Sequence, residues 1–299
     1  MTSSSDQPQD ADQPQGADPS WRLSLNQATI KRLSVEQAVQ CCVQAGVRGI
    51  GLWRDSVDEA GAGRAARLVR EAGLTVTSLC RGGFLTAATA AERTAAVADN
   101  RRAIEQAARL GAPVLALVCG GVPPGSRDLA GARAMVADGI AELVADAAAH
   151  RVCLAIEPLH PMFCADRSVV STLGQALDLA ERFSAEQVGV MVDAYHVWWD
   201  PDLEAAISRA GPRICGFQLS DWVLPLPADV LLGRGHIGTG CIDFRRLDAA
   251  VRAAHYRGWT EVEIFNEGVW AAPAAQTLRT VIDSYREHVA SPGRGGEQG

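Results

Sequence analysis

Short apolar runs alternate with longer helical segments along most of this chain. Between Trp21 and about Ala290, each β-branched run is followed by a segment rich in Ala, Leu and Arg, then by a Gly and the next run. Strand–helix alternation produces parallel strands that are covered by helices and are therefore apolar throughout. The eight predicted strands are Leu23–Asn26, Gly49–Trp53, Thr75–Leu79, Val114–Val118, Val152–Glu157, Val188–Asp193, Ile214–Gln218 and Thr260–Phe265.

Eight such units predict a closed (β/α)₈ TIM barrel, which typically needs about 250 residues. An open doubly wound sheet is the alternative, but it usually carries a Gly-rich phosphate-binding turn after its first strand. Here the first strand leads into Gln27–Ile30, which contains no Gly. We therefore expect one TIM-barrel catalytic domain over residues 21–290. The polar and Gly-rich composition of residues 1–20 and 291–299 predicts disordered N- and C-terminal tails.

Composition excludes several classes of protein. The net charge of −7 argues against a general nucleic-acid binder, which would present a basic face. No apolar run is long enough to span a membrane, and the N-terminus lacks the features of a signal peptide. The eight cysteines form no CxxC pair, which favours free thiols in a reducing compartment over a disulfide framework. We therefore expect a cytoplasmic protein that binds neither nucleic acid nor membranes.

The last four predicted strands each deliver one side chain that can ligate a metal. Glu157, Asp193 and Glu263 offer carboxylates, and Gln218 offers an amide oxygen. Functional residues of a TIM barrel lie at the carboxyl ends of its strands, and neighbouring strands are about 4.8 Å apart. The four side chains are therefore predicted to reach one ion. An oxygen-only ligand set favours a hard divalent cation over a thiolate-bound zinc.

At these residues the chain resembles the xylose-isomerase-like barrel superfamily, the sugar phosphate isomerase/epimerase group. The resemblance covers about Trp21 to Ala290 and is most specific between Leu154 and Trp270. The matching motifs are Ala155–Leu159 around Glu157, Val192–His196 around Asp193, Gly216–Asp221 around Gln218, Arg234–Phe244 with its Gly-x-Gly loop, and Val262–Phe265 around Glu263.

Gln218 departs from the pattern of most members, which carry His at this position, the ketose 3-epimerases among them. Members that resemble hydroxypyruvate isomerase carry Gln there, so the metal site is retained while the ketose-epimerase specificity does not transfer. Endonuclease IV-type DNA repair enzymes in this superfamily bind zinc through additional His on the early strands. Here the third and fourth strands run into Cys80–Gly83 and Cys119–Gly121, which contain no His. A DNA repair function is therefore disfavoured.

The resemblance implies a divalent-metal-dependent isomerase or epimerase of a sugar or keto-polyol. It implies that Glu157 and Glu263 are the catalytic groups, which transfer a proton through a metal-stabilised enediolate. Both also ligate the metal, together with Asp193 and Gln218. We expect Mn²⁺, with Mg²⁺ or Co²⁺ as alternatives. The predicted substrate-binding residues are His196 of the Asp-x-x-His motif, His160 in the loop after Glu157, and Arg234.

Two other functions stay open from the sequence. The first is a lyase or dehydratase on the same scaffold, such as an inosose dehydratase-like or C-glycoside-cleaving enzyme, because elimination can start from the same enediolate. The second is an inactive barrel that acts as a subunit or binding module, which the retention of both Glu157 and Glu263 disfavours. In either enzyme the partner is a small-molecule sugar or polyol, and we expect a homo-oligomer, a dimer or a tetramer.

Overall fold

Eight parallel strands close into a barrel, which confirms the predicted TIM-barrel fold. The structure is a computed structural model and describes residues 19–290. The predicted tails therefore lie outside the described residues, except that Pro19 and Ser20 begin a short 3₁₀ helix that ends at Arg22. The first seven barrel strands are β1 (Leu23–Asn26), β2 (Gly49–Trp53), β3 (Thr75–Gly83), β4 (Val114–Val118), β5 (Cys153–Glu157), β6 (Val188–Asp193) and β7 (Ile214–Leu219). Strands β8 (Asp221–Trp222) and β9 (Arg234–Gly235) form an antiparallel ribbon outside the barrel. The eighth barrel strand, β10 (Thr260–Val262), closes the barrel against β1.

Strands β5 and β7 differ in length from the prediction by one residue each, and β3 and β10 differ by more. Strand β3 continues to Gly83 because its last two residues pair with Leu117 and Val118 of β4, and the amide of Asn100 also bonds Gly83. Its Oδ1 accepts from the Gly83 N–H at 2.6 Å, and its Nδ2 donates to the Gly83 carbonyl at 2.8 Å. Strand β10 ends at Val262, because the next N–H groups are satisfied differently. The Glu263 N–H still donates to β7, at the Leu219 carbonyl, but the Ile264 N–H donates to the hydroxyl of Thr29.

Helices surround the barrel, and capping residues fix where several of them begin. Ser34 and Thr89 each form a capping box, with Gln37 and Glu92 respectively. Within residues 19–290, no helix is both long and apolar enough to cross a membrane. The helices are α1 (Val35–Ala45), α2 (Arg54–Ala60), α3 (Ala62–Glu71), α4 (Ala90–Leu110), α5 (Leu129–His150), α6 (Leu173–Ala180), α7 (Ala194–Val197), α8 (Leu203–Ala210), α9 (Phe244–Ala253), α10 (Glu267–Ala271) and α11 (Ala274–Tyr285).

Alternate residues of β4, β5 and β6 belong to two separate cores. In β5, Leu154 and Ile156 join the large cluster between strands and helices, whereas Ala155 joins a small cluster with Ala116 and Met191. Because successive side chains of a strand point to opposite faces, the small cluster fills the barrel interior. Apolar side chains therefore fill the part of the barrel interior next to β4, β5 and β6, and buried polar side chains fill the part next to β1, β7 and β10.

Candidate functional site

The four predicted metal ligands all lie at the carboxyl ends of barrel strands. Glu157 ends β5, Asp193 ends β6, Gln218 is the penultimate residue of β7, and Glu263 directly follows β10. All four are buried, with between 0% and 6% of each residue exposed. Asp193 and Gln218 are register partners across the β6–β7 ladder, so their side chains share one level of the barrel. The barrel thus brings together residues that are more than 100 positions apart in the chain.

His196 lies among these carboxylates. Its Nε2 is 3.9 Å from Glu157 Oε1 and 3.8 Å from Asp193 Oδ2, and the ligand atoms of the three residues all lie within 4.8 Å of one another. The short helix α7 explains this position. Asp193 caps it by accepting the Tyr195 N–H at 2.9 Å, and a residue three positions into such a turn returns to the same side. The sequence predicted His196 as a substrate contact, and the structure also places it within reach of a metal.

Arg234 reaches into the same cluster from ribbon strand β9. Its Nη1 donates to Asp193 Oδ2 at 2.9 Å and to Glu263 Oε2 at 3.2 Å, and its Nη2 lies 2.9 Å from His196 Nε2. The rings of Tyr195 and Phe265 cover the guanidinium, with centroids at 4.7 and 5.2 Å. Only 2% of Arg234 is exposed. The predicted substrate contact is therefore a buried cation that pairs with two of the predicted metal ligands.

The carboxylates are too close to one another to ionise freely. Burial, with the nearby Glu263 and Asp193 carboxylates, raises the pKa of Glu157 well above its usual range. Burial also raises the pKa of Glu263 to about 8, against the opposing effect of Arg234. Three carboxylates beside one guanidinium carry excess negative charge when all are ionised. Protons or a further cation must compensate this charge.

His196 is held as a neutral ring. Burial and the positive charge of Arg234 lower its pKa well below the usual range. Its Nδ1 faces the His160 N–H at 3.2 Å, and its Nε2 faces the Arg234 guanidinium. Both neighbours are donors, but a neutral imidazole has only one acceptor nitrogen. Only one of these two contacts is therefore a hydrogen bond, and the other is open to exchange for a ligand.

The amide of Gln218 presents an unpaired oxygen. Its Nε2 donates to Glu261 Oε1 at 2.8 Å, and within the described chain its buried Oε1 has no hydrogen-bond partner. A buried carbonyl oxygen without a donor is costly unless a ligand completes it. Together with the crowded carboxylates, this orphaned atom fits a divalent cation. Of the side chains that could hold the ion, Glu157, Asp193 and His196 already bring their ligand atoms together, and Gln218 and Glu263 lie at the neighbouring strand ends.

A cavity of about 130 Å³ adjoins the cluster. Its wall contains Glu157 and Glu263 together with His196 and Arg234. His160 is not part of this wall, because its ring packs on Trp199 and Trp222, with centroids 5.5 and 4.9 Å away. Its backbone N–H instead faces His196.

Two arginines in the cavity wall were not predicted. Arg81 lies in β3 and Arg167 in the loop after β5, and both line the cavity beside the two glutamates. Arg81 ends the apolar part of its strand, which is a signal that sequence reasoning could have used. Arg167 follows no strand directly, so only the folded loop shows that it faces the cavity. These cations favour a substrate that carries negative charge or several oxygens.

Comparison with known proteins agrees with this architecture. The family model of the xylose isomerase-like TIM barrel matches residues 39–288. The structure of protein SMc04130 from Sinorhizobium meliloti 1021 is similar, with a TM-score of 0.88 and 46% identity, over 90% of this chain and 99% of that chain. The structure of the IolI protein with a bound zinc atom has a TM-score of 0.77 at 17% identity, over 90% and 98% of the two chains, which is a likeness of fold alone.

A curated relative adds a named activity. The 3-dehydroshikimate dehydratase of Pseudomonas aeruginosa is 32% identical over 187 residues, which are 58% of this chain. The chain spans only 28% of the length of that dehydratase. The family match, in contrast, covers most of the described barrel. The resemblance found in the sequence is confirmed, and the chain belongs to the xylose isomerase-like TIM-barrel family.

Proposed function

We propose that this protein is a divalent-metal-dependent isomerase or epimerase of a small sugar or keto-polyol. One observation carries the proposal: two buried glutamates, Glu157 and Glu263, line the same cavity. They come from β5 and β10, which are separated in the barrel by β6 and β7. Their carboxylates therefore approach a substrate from different directions, as removal and return of a proton at two positions require.

The metal would be held by Glu157, Asp193, Gln218 and Glu263, with His196 beside them. When bound, the ion would polarise neighbouring carbonyl and hydroxyl oxygens of the substrate and stabilise the charge left by proton removal. We propose Mn²⁺, with Mg²⁺ or Co²⁺ as alternatives, because most of the donors are oxygens. The zinc in the IolI protein supports a divalent ion in a barrel of this fold.

In the metal-free chain, burial raises the pKa of Glu263 to about 8 and the pKa of Glu157 well above its usual range. A bound ion would favour the carboxylate form of each glutamate that ligates it. A glutamate that does not ligate the ion can exchange between acid and carboxylate near neutral pH. One carboxylate removes a carbon-bound proton, and the other group, in its acid form, returns a proton to the neighbouring carbon or the opposite face. Arg234 and His196 orient substrate oxygens, and burial of the cluster excludes water.

A dehydratase is the second candidate. It is favoured by Arg81 and Arg167, whose charges suit a carboxylate-bearing hydroxy ketone, and by the similarity to a 3-dehydroshikimate dehydratase. The same first step applies, because a base must remove a proton next to the carbonyl. The second glutamate, in its acid form, then protonates the departing β-hydroxyl, and water leaves.

The experiment that separates these functions uses metal-stripped protein reloaded with Mn²⁺, Mg²⁺ or Co²⁺. The protein is incubated in D₂O with ketoses, inososes and hydroxy-keto acids. Deuterium incorporation into a product of unchanged formula supports the isomerase, and release of water supports the dehydratase. A Glu263→Gln variant is the matched control and is expected to catalyse neither. Protein that binds none of the three ions, or that exchanges no deuterium with any substrate, overturns both candidates.

A further inference from the structure

Two cysteines meet inside the amino-terminal end of the barrel, opposite the proposed active site. Cys153 begins β5 and Cys215 is the second residue of β7, and their Sγ atoms are 3.0 Å apart. Strand β6 lies between them, and its Gly189 makes the contact possible. A Cβ at Gly189 would lie 2.0 Å from the Cys215 Sγ. The two thiols therefore meet in the space that a side chain at residue 189 would fill.

The local backbone directs Cys215 into that space. Along the β6–β7 ladder, Val190 pairs with Ile214 but Met191 pairs with Gly216, so Cys215 is an extra residue on its strand. Such a bulge re-aims a side chain away from the regular alternation. The bulge and the glycine come from different strands, and both favour the same contact.

A cavity reaches the thiol pair on the side of Cys215. Both cysteines are only partly buried, and Cys215 lines a cavity of about 570 Å³ whose wall also contains Thr75, Tyr256 and Trp259. The hydrogen bond with Cys215 lowers the pKa of Cys153, whereas it raises the pKa of Cys215. The two thiols therefore share one proton between their sulfur atoms when one of them ionises.

We propose that Cys153 and Cys215 form an oxidation site that closes to a disulfide when the protein meets hydrogen peroxide. One of the two thiols loses its proton, and its thiolate attacks one peroxide oxygen. The O–O bond breaks, leaving a sulfenic acid and a hydroxide that takes up the lost proton to become water. The other thiol attacks the sulfenic sulfur, forms the S–S bond and gives its proton to the departing hydroxide, which leaves as a second water. Two thiols lose two electrons and two protons, and one peroxide becomes two waters. The sulfur atoms need to approach by only about 1 Å to reach disulfide distance.

The test treats the full-length protein with hydrogen peroxide and maps its peptides without reduction. We expect a Cys153–Cys215 linked peptide, loss of two hydrogen masses, joint protection of both thiols from alkylation, and reversal by dithiothreitol. The denaturation midpoint should rise on oxidation, because the bond closes a loop between residues 62 positions apart.

Variants make the test specific. Cys153→Ser and Cys215→Ser should each abolish the linked peptide. Gly189→Ala should abolish it while leaving both thiols in the chain, and Cys241→Ser, at an exposed thiol, should leave it unchanged. Should the alanine variant fail to fold, the serine variants still decide. The proposal is overturned if peroxide oxidises Cys241 but does not link Cys153 to Cys215. It is also overturned if peroxide oxidises Cys153 or Cys215 irreversibly to the sulfinic acid.

A different observation, deeper in the barrel, concerns Glu261. Its carboxylate accepts four hydrogen bonds from neutral side chains, which are those of Asn26 at 2.7 Å, Thr77 at 2.5 Å, Ser78 at 3.1 Å and Gln218 at 2.8 Å. Only 4% of Glu261 is exposed, and it is the register partner of Gln218 across the β7–β10 ladder. It contacts the amide whose oxygen is left without a partner.

The geometry points to Glu261 as the positioning residue for Gln218, an inference that rests on the proposed metal site. Glu261 acts as the acceptor in all of these hydrogen bonds, so the Gln218 amide turns its donor, Nε2, toward Glu261. If the Gln218 amide were flipped, its Oε1 would face a carboxylate oxygen of Glu261, and the two acceptors would repel each other. Gln218 Oε1 is thereby kept on the side away from Glu261, free for a metal. Outer partners of this kind typically change metal affinity by about 10–100-fold.

The test measures Mn²⁺ affinity by calorimetry rather than activity. Glu261→Gln should weaken binding by about 10–100-fold, because the amide of residue 218 loses its fixed orientation. The exchanged pair Gln218→Glu with Glu261→Gln should restore affinity, because the new amide can donate to a carboxylate whose two oxygens are equivalent. Ser78→Ala removes a different hydrogen bond to Glu261 and should leave affinity within about twofold.

The outcomes separate the two claims. Wild-type protein that binds no Mn²⁺ overturns the metal site itself. Wild-type protein that binds Mn²⁺, with Glu261→Gln binding equally well, overturns the positioning role alone. A loss of affinity that the exchanged pair does not restore also overturns it, because a general loss of packing then accounts for the effect.

Discussion

The barrel buries carboxylates at two levels, and the levels are satisfied in different ways. At the lower level, Glu261 accepts hydrogen bonds from four neutral side chains. At the upper level, Asp193 and Glu263 pair with the guanidinium of Arg234, and Glu157 lies close to Asp193 and His196. Burial raises the pKa of all three upper carboxylates.

The difference separates supporting groups from reactive ones. Burying a carboxylate is costly unless hydrogen bonds or opposite charges compensate it. The chain itself compensates Glu261, so that carboxylate needs nothing further. The upper level keeps excess negative charge and an orphaned amide oxygen, which the chain alone does not complete. A proton, a cation or a substrate must complete it, and this is the property of a working site.

The largest effect is expected for Glu263→Gln, which removes an upper carboxylate from the cavity wall. An amide cannot take up or return a proton, so turnover should fall by about 1000-fold, within the range of general acid–base catalysis. The measurement is kcat at saturating Mn²⁺, with metal content determined on the same sample. Full activity in metal-loaded Glu263→Gln would contradict the two-glutamate mechanism. It would also contradict the proposal that the upper carboxylates carry out the reaction.

The pH dependence of stability should come mainly from the upper level. Glu263 has a raised pKa of about 8 in the folded chain against an ordinary value of 4.5, so the folded state holds a proton that the unfolded state releases. The stabilisation is fully present below the unfolded value and is lost as the pH rises through about 8. Urea midpoints of metal-free protein should therefore fall over this window.

Two controls sharpen this pH prediction. Glu263→Gln should flatten the profile, because the titrating group is gone. Saturating Mn²⁺ should oppose the fall, because the ion binds deprotonated carboxylates and its affinity rises with pH. A profile that is identical in wild type and Glu263→Gln would show that this carboxyl group ionises with an ordinary pKa.

Much of the upper level was predictable because strand ends are encoded locally. Apolar runs mark the strands, and the barrel aligns their carboxyl ends, so Glu157, Asp193 and Glu263 follow from pattern alone. The contact between Gln218 and Glu261 depends on the register of β7 against β10, which no local pattern encodes. The insertion of Arg234 depends on the path of the ribbon. Position along the chain therefore predicted where the candidate ligands lie, whereas their neighbours depend on strand register and on the path of the folded ribbon.

Arg234→Ala tests how the upper level is balanced. Removing one partner of a buried ion pair costs about 3 kcal/mol or more, because the remaining charge is left uncompensated. Metal-free Arg234→Ala should be destabilised by about that amount, and added Mn²⁺ should raise its denaturation midpoint more than in wild type. Arg209→Ala is the matched control, since Arg209 pairs with Glu181 on the surface and should cost less than about 1 kcal/mol. Equal losses in the two variants would contradict the buried charge balance.

A smaller effect directly compares the two levels. Glu261→Gln places an amide where four donors converge, so at least one donor meets an N–H and loses its partner. The free energy of unfolding of metal-free protein should fall by about 2 kcal/mol. Glu157→Gln removes charge from the crowded level and should leave that free energy unchanged or raise it. Chemical denaturation of both variants without metal makes the comparison. If both substitutions lower the stability equally, the upper carboxylates are satisfied by the chain just as Glu261 is, and the excess charge that marks the upper level as the reactive one does not exist.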